Sequence, residues 1–274
     1  MGYTFEPIDR EFEDICQLVY RKSGLKFDSN KRGFVEHKVA DRLRLLGHSS
    51  YAEYFQYLQR DQSETEIRIL LDLLTTNETY FFRDMAQLKT FEIVARSILE
   101  AQTERKLRIW SSGCSIGCEP YSLVILLIES MKDVLPFDFE ILGTDISMSA
   151  LDVAHKGLYM EREIRELPQY ILNKYFTHDG TYYVLSKKIS SFVNFQYLNL
   201  MDRQLMSMQR GYNIIFCRNV LMYFDEDSRR IALEYLYDSL LPGGYIFLGR
   251  AESMNGASRA FRLIRVGNDL VYMK

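Results

Sequence analysis

Histidine is scarce in this chain, with four in 274 residues, and after the loop at 113–117 only His155 and His178 follow. A histidine-dependent hydrolase has little to draw on. The four cysteines (Cys16, Cys114, Cys118, Cys217) form no C-x-x-C pair, so neither a zinc cluster nor a disulfide framework is expected, and the site is expected to hold no metal. A net charge of −3 leaves no strongly basic domain, and no RNA-binding motif is visible, which argues against a nucleic-acid partner. Long apolar runs are missing too. The longest, Leu123 to Ile128 with its flanks, is too short to span a bilayer, and the N-terminus shows no basic-then-apolar signal, so a cytoplasmic protein without membrane insertion is expected. Repeats and low-complexity segments are absent.

What remains is an ordinary composition, 47% apolar and 26% charged, enough for one large or two modest domains. The chain is organised around Leu107-Arg-Ile-Trp-Ser-Ser-Gly-Cys-Ser-Ile-Gly-Cys-Glu-Pro-Tyr-Ser122. An apolar run ends in Ser and Gly, and Glu119-Pro120 opens a second apolar stretch, Tyr121 to Ile128: strand, tight loop, helix. Gly113 and Gly117 allow a sharp turn and close approach to a ligand, and the helix aims its N–H groups and positive dipole end into the loop. A P-loop would need Gly-Lys-Ser/Thr, whereas Cys118, Glu119 and Pro120 follow Gly117. A dinucleotide fingerprint wants three glycines; here there are two, with a carboxylate above the helix that repels pyrophosphate. A ligand bearing ammonium or sulfonium suits Glu119 better, and S-adenosylmethionine (SAM) carries both. Gly113 to Gly117 also reads G-x-S-x-G, a nucleophile elbow, but that motif needs an acid and a late histidine. A βα turn without a ligand is the plainer alternative.

Residues 1 to about 100 read as helices: Asp9 to Ser23, Asn30 to Leu46, Ser50 to Arg60, and a fourth opened by a Ser63-to-Glu66 capping box and running through Leu74. In the second, Lys31, Lys38 and Arg42 lie within roughly 40° around the axis, a basic stripe that is either a solvated edge or a dock for an acidic helix. Leu74 to Asp84 is dense in hydrogen-bonding groups, with Asn77, Thr79 and Arg83 outstanding and Asp84 a good N-cap for a helix from Met85 to about Leu99. From Leu107 strands and helices alternate, the pattern of a parallel α/β sheet. Asp145, ending the strand Phe139 to Asp145, stands where such folds bind ribose hydroxyls, or else caps the helix beginning near Ser147. Thr181 to Ser186 and Phe192 to Gln196 read as a paired antiparallel insertion. Tyr212 to Cys217 is a buried strand running into Arg218 to Asp225, then come a helix from Glu226 to Leu240, a strand from Pro242 to Gly249 and a terminal hairpin.

Six stretches, in this order, carry a family resemblance over almost the whole length: Thr76 to Arg83, Gly113 to Ser122, Gly143 to Asp145, Asn199-Leu200, Phe216 to Phe224, and Leu241 to Gly244. The chain resembles the chemotaxis receptor methyltransferases (CheR). The resemblance implies a Rossmann-like SAM-dependent methyltransferase sheet with an N-terminal helical domain (1–76), a SAM-binding domain (77–274) and a small inserted antiparallel β subdomain at about 176–197. It implies methyl transfer from SAM to glutamate side chains on the cytoplasmic helices of bacterial chemoreceptors by a monomer, giving methyl esters and S-adenosylhomocysteine (SAH). It places Asn77, Thr79, Arg83, Glu119, Asp145, Asn199, Leu200, Arg218 and Asn219 around SAM, Arg83 and Tyr223 nearest the transferred methyl, and Lys31, Lys38 and Arg42 on a receptor-docking helix. Two departures stand out. Cys118 occupies the first of two positions that are commonly acidic, and the turn His178-Asp-Gly-Thr181 is too short for the Gly-rich loop by which some members bind a receptor's C-terminal pentapeptide.

Overall fold

The computed structural model describes residues 10–27, 29–134, 136–254 and 260–274; Asp9, the expected start of the first helix, lies outside them. In α1 (Arg10–Ser23) Phe12, Ile15 and Val19 make one buried stripe, with acids in the first turn and bases in the last complementing the helix dipole. It ends at Gly24, whose φ of +73° suits glycine. A 3-10 turn, Ser29–Lys31, leads into α2 (Arg32–Leu45), and Ser50 caps α3 (Tyr51–Arg60) by accepting from the Glu53 N–H.

The start of α4 (Thr65–Leu74) corrects the capping-box expectation. Asp61 supplies the cap, its Oδ2 accepting from Glu66 N at 2.6 Å. Glu66 turns inward instead, because its position faces α2 and α3. Its carboxylate takes Arg42 Nε at 2.8 Å, Arg42 Nη2 at 2.6 Å and the Tyr54 hydroxyl at 2.7 Å. The Arg42 side chain is 14% exposed and that of Glu66 4%. Arg42 is therefore partly buried and committed to the buried Glu66, and does not belong to an open basic stripe.

From α5 (Met85–Ala101) the chain alternates: β1 (Lys106–Ser112), α6 (Cys118–Ser130), β2 (Asp138–Asp145), α7 (Met148–Lys156), β3 (Leu158–Tyr159), α8 (Glu161–Ile164), α9 (Gln169–Tyr175), β4 (Phe176–His178), β5 (Tyr183–Leu185), α10 (Lys187–Ser190), β6 (Val193–Tyr197), α11 (Arg203–Ser207), β7 (Tyr212–Cys217), α12 (Glu226–Ser239), β8 (Leu240–Leu248), β9 (Arg262–Val266) and β10 (Asp269–Met273). The main sheet has the order β6-β2-β1-β7-β8-β10-β9, with β10 antiparallel to both its neighbours. Strand residues alternate between two cores. Leu107, Ile109, Ile214, Phe216 and Phe247 face α5 and α6, while Trp110, Ile215, Ile246 and Leu248 share the core of α12 and the N-terminal helices. Strand order reverses between β1 and β7, which opens a crevice at the carboxyl ends of those strands.

The expected pairing of Thr181–Ser186 with Phe192–Gln196 does not form. β5 pairs with β3 and β4 in a separate three-stranded sheet, and β6 joins the main sheet parallel to β2, from Ile141 opposite Val193 to Asp145 opposite Tyr197. The short helix α10 parts the two strands, and burial decides where β6 goes: Phe195 fills the space left by Gly143 and packs on Tyr121 at 5.5 Å, contacts that only the main sheet offers. Among the described residues no helix is long and apolar enough to cross a membrane.

Candidate functional site

The crevice is a cavity of about 350 Å³, within the range of small-molecule sites. Asn77, Thr79, Arg83, Glu119, Asp145, Asn199, Leu200, Arg218, Asn219 and Tyr223 all line it, and so does Lys31; Lys38 and Arg42 do not.

The loop between β1 and α6 is held by local chemistry. Gly113 N and Cys114 N both donate to the Thr144 carbonyl, at 2.7 and 2.9 Å, which ties the loop to the end of β2. Both loop glycines have positive φ, +80° and +85°, but their missing side chains make room for protein rather than ligand. A Cβ on Gly113 would meet Val220 Cγ2 at 2.3 Å, and one on Gly117 would meet Ala154 Cβ at 2.9 Å. Ser115 is left-handed at φ +49°. Its hydroxyl donates to the Asn77 backbone carbonyl at 3.2 Å, and no histidine is among the cavity-lining residues, so the nucleophile-elbow reading has no base to act through.

Two carboxylates face the cavity, Asp145 buried and Glu119 14% exposed at its side chain. Asp145 Oδ2 accepts from Ser115 N at 2.7 Å and Oδ1 from Ser147 N at 2.9 Å, while Ser147, not Asp145, is the N-cap of α7. Glu119, in the first turn of α6, accepts from Ser111 Oγ at 2.7 Å and from Arg218 Nη1 at 3.1 Å. Burial pushes both carboxyls above their ordinary pKa; Arg218 and Ser111 pull Glu119 partly back, and the Ser147 and Ser115 N–H groups do the same for Asp145. Arg218 continues to the Arg83 carbonyl through Nη2 at 3.0 Å, but its buried Nε has no partner. Arg218 lines the cavity together with the two acids, and a cation beside two carboxylates fits a ligand that carries both charges, as a free amino acid moiety does.

The segment Thr75 to Arg83 reaches the cavity from the end of α4. Asn77 Nδ2 donates to Ser147 Oγ at 3.0 Å, and the same hydroxyl donates to Asp72 of α4, so the N-terminal helices and the sheet share one hydrogen-bond network beside Asp145. Asn199 has its amide nitrogen on the Lys22 carbonyl at 2.6 Å, a tie to α1 as much as a cavity wall. Tyr80, which lines the cavity, has two guanidinium groups near its ring, Arg165 at 4.3 Å and Arg83 at 5.7 Å from the ring centre. Lys31 Nζ stands 4.5 Å above the Tyr223 ring. Arg165 escaped the sequence reading because its neighbour is remote in sequence. Ser115 sits inside the motif, and its backbone N–H, invisible in a motif of side chains, is what Asp145 uses.

All four cysteines are free, and those at 114, 118 and 217 are buried with thiol pKa values pushed well up by burial. The Cys118 thiol sits wholly inside the core, so an acid at that position would be buried with it. Among the described residues no group of acids, histidines and cysteines is arranged to hold a metal ion.

Two family models match: the all-alpha domain of CheR methyltransferases over residues 10–75 and their SAM-binding domain over 77–268. Similar curated proteins include chemotaxis protein methyltransferase 2 of Vibrio cholerae, 38% identical over 97% of this chain and 93% of that one. The chemotaxis protein methyltransferases of Borreliella burgdorferi (32%; 90% and 89% covered) and Escherichia coli (30%; 93% and 88% covered) are similar too.

Proposed function

The chain belongs to the CheR methyltransferase family, and from that premise we propose that it transfers a methyl group from SAM to glutamate side chains on the cytoplasmic helices of chemoreceptors, forming methyl esters. The observation that carries the reading is the convergence, in one cavity between the strands where order reverses, of Glu119, Asp145 and the half-satisfied Arg218. Glu119 and Asp145 would hold the ammonium and ribose ends of SAM, and Arg218 its carboxylate. Bound there, SAM supplies an electrophilic methyl carbon on a sulfonium sulfur.

The protein's own task is then alignment. A glutamate carboxylate, with an ordinary pKa near 4.3, is ionised at neutral pH and needs no general base, which suits a cavity whose lining contains no histidine. Carboxylate and sulfonium lose their charges together, so keeping water away from them, with Tyr80 and Tyr223 as walls, would favour reaction over separation. Arg83 orients the incoming carboxylate by a forked hydrogen bond. Arg83→Ala is expected to lower single-turnover rates at least tenfold, about 1.4 kcal/mol; a rate near that of the wild type removes Arg83 from this role.

The docking charges are then Lys38 on α2 and Lys31, which ends the turn before α2 and also lines the cavity over the Tyr223 ring. Reversing both to glutamate is expected to raise the Kd for a receptor cytoplasmic fragment at least tenfold, measured with SAH-saturated protein; unchanged affinity removes the docking helix from the account. For the reaction itself, radiolabel from SAM should appear on receptor glutamates and be released by mild base. Stable label, or label only on another acceptor, would redirect the substrate assignment.

The raised pKa values of Glu119 and Asp145 fix the sign of a pH effect. Protonation of either acid begins above its ordinary value and removes the charge that attracts SAM, so SAH affinity should weaken as pH falls from 7 to 5, a range in which the ligand's α-amino group stays charged. The ligand-free protein carries the opposite sign. There the folded state holds these protons more tightly than the unfolded chain, so these two groups favour folding more at the lower pH. Calorimetry at the two pH values tests the first statement, and flat affinity would refute it.

A further inference from the structure

One carboxylate outside the cavity is bound as tightly as those within it. Glu252 lies in the turn after β8, and its Oε2 accepts from Asn219 N at 2.8 Å and Gly249 N at 2.7 Å while Oε1 accepts from Met222 N at 3.2 Å. Two of the three donors belong to the loop that carries Arg218, Asn219 and Tyr223 after β7. The site is built around the acid: a Cβ on Gly249 would stand 2.7 Å from Glu252 Oε2, and a second bond, Glu252 N to the Gly249 carbonyl at 2.8 Å, closes the turn.

Asn219 is left-handed at φ +60°, a backbone state that asparagine reaches more readily than other non-glycine residues and that is held here by its neighbours. Met222 lies in the 3-10 turn Leu221–Tyr223. Glu252 therefore grips the loop before and within the turn that presents Tyr223. The other side is held by the helical domain, where Lys26 N donates to the Tyr223 carbonyl at 2.9 Å.

We infer that Glu252 is a positioning residue for methyl transfer: an anion in a nest of three backbone N–H groups that sets Asn219 toward the cofactor and Tyr223 toward the methyl acceptor. This rests on the roles given to those two residues above. Glu252→Gln keeps one oxygen for Asn219 and Gly249 but turns an NH₂ toward the Met222 N–H; Glu252→Ala empties the nest.

Two readouts separate the inference from the function it serves. Hydrogen exchange of the SAH-bound protein should accelerate at least tenfold at the Asn219, Met222 and Gly249 amides in Glu252→Ala and at Met222 alone in Glu252→Gln, with helix α6 unchanged. In receptor methylation, Glu252→Ala should lower kcat at least tenfold with KM for the receptor fragment within twofold, and Glu252→Gln should recover to within threefold of the wild type. Unchanged exchange at Met222 in the folded Glu252→Gln protein overturns the inference, as does a wild-type kcat in Glu252→Ala. A wild-type protein that methylates nothing, but whose amides respond as stated, sinks the function and leaves the clamp.

Discussion

Arg42→Ala is expected to destabilise the protein by about 3–5 kcal/mol, the range for breaking a buried ion pair, against a total stability of about 5–15 kcal/mol for a typical domain. The loss comes from what is left behind. Glu66, 4% exposed at its side chain, would keep only the Tyr54 hydroxyl for a full negative charge. Urea unfolding followed by circular dichroism measures it, with Lys38→Ala, on the same helix and partly exposed, expected within about 0.5 kcal/mol of the wild type. Equal effects from the two would mean that Arg42 is a surface charge after all. The consequence bears on docking experiments: charge reversal at Arg42 would lower receptor binding by unfolding α2 and α4, whatever the helix touches in a complex.

Asp145→Asn should weaken SAH binding about a hundredfold, about 2.8 kcal/mol, with little change in the receptor-fragment affinity. Both carboxylate oxygens already accept a backbone N–H, from Ser115 and Ser147. An amide has one acceptor oxygen, so its NH₂ must face one of those N–H groups, and the βα loop or the start of α7 must shift. Ligand contact and loop shape are lost together. Calorimetry with SAH gives the affinity, and thermal unfolding without ligand reports the loop separately. Binding within threefold of the wild type would take Asp145 out of the cofactor site.

Much of the candidate site's lining was legible because it is local. Gly113, Gly117, Glu119 and Pro120 announce a strand-loop-helix cradle by turn chemistry and capping alone, and an acid closing β2 stands beside that cradle in any parallel sheet of this order. The ten expected cofactor and catalytic positions therefore all line one cavity. Less legible were the partners of each group. Glu66 matched a capping-box position and became the counterion of Arg42; Gly113 suggested a ligand and makes room for Val220. The strand at 193–197 matched a hairpin partner for its neighbour in sequence, and the depth at which Phe195 is buried sent it to the edge of the main sheet instead.

From the residues alone came the alternation of elements, the cradle and the family, because helix period, strand period and turn residues are set within a few positions of one another along the chain. Which charges are paired inside, where β6 docks, and that Glu252 holds the loop of Tyr223 were decided only in three dimensions. Hydrogen bonds and ion pairs between residues 24 to 177 positions apart, such as Arg42 with Glu66 and Asn199 with Lys22, depend on packing geometry that no local pattern encodes.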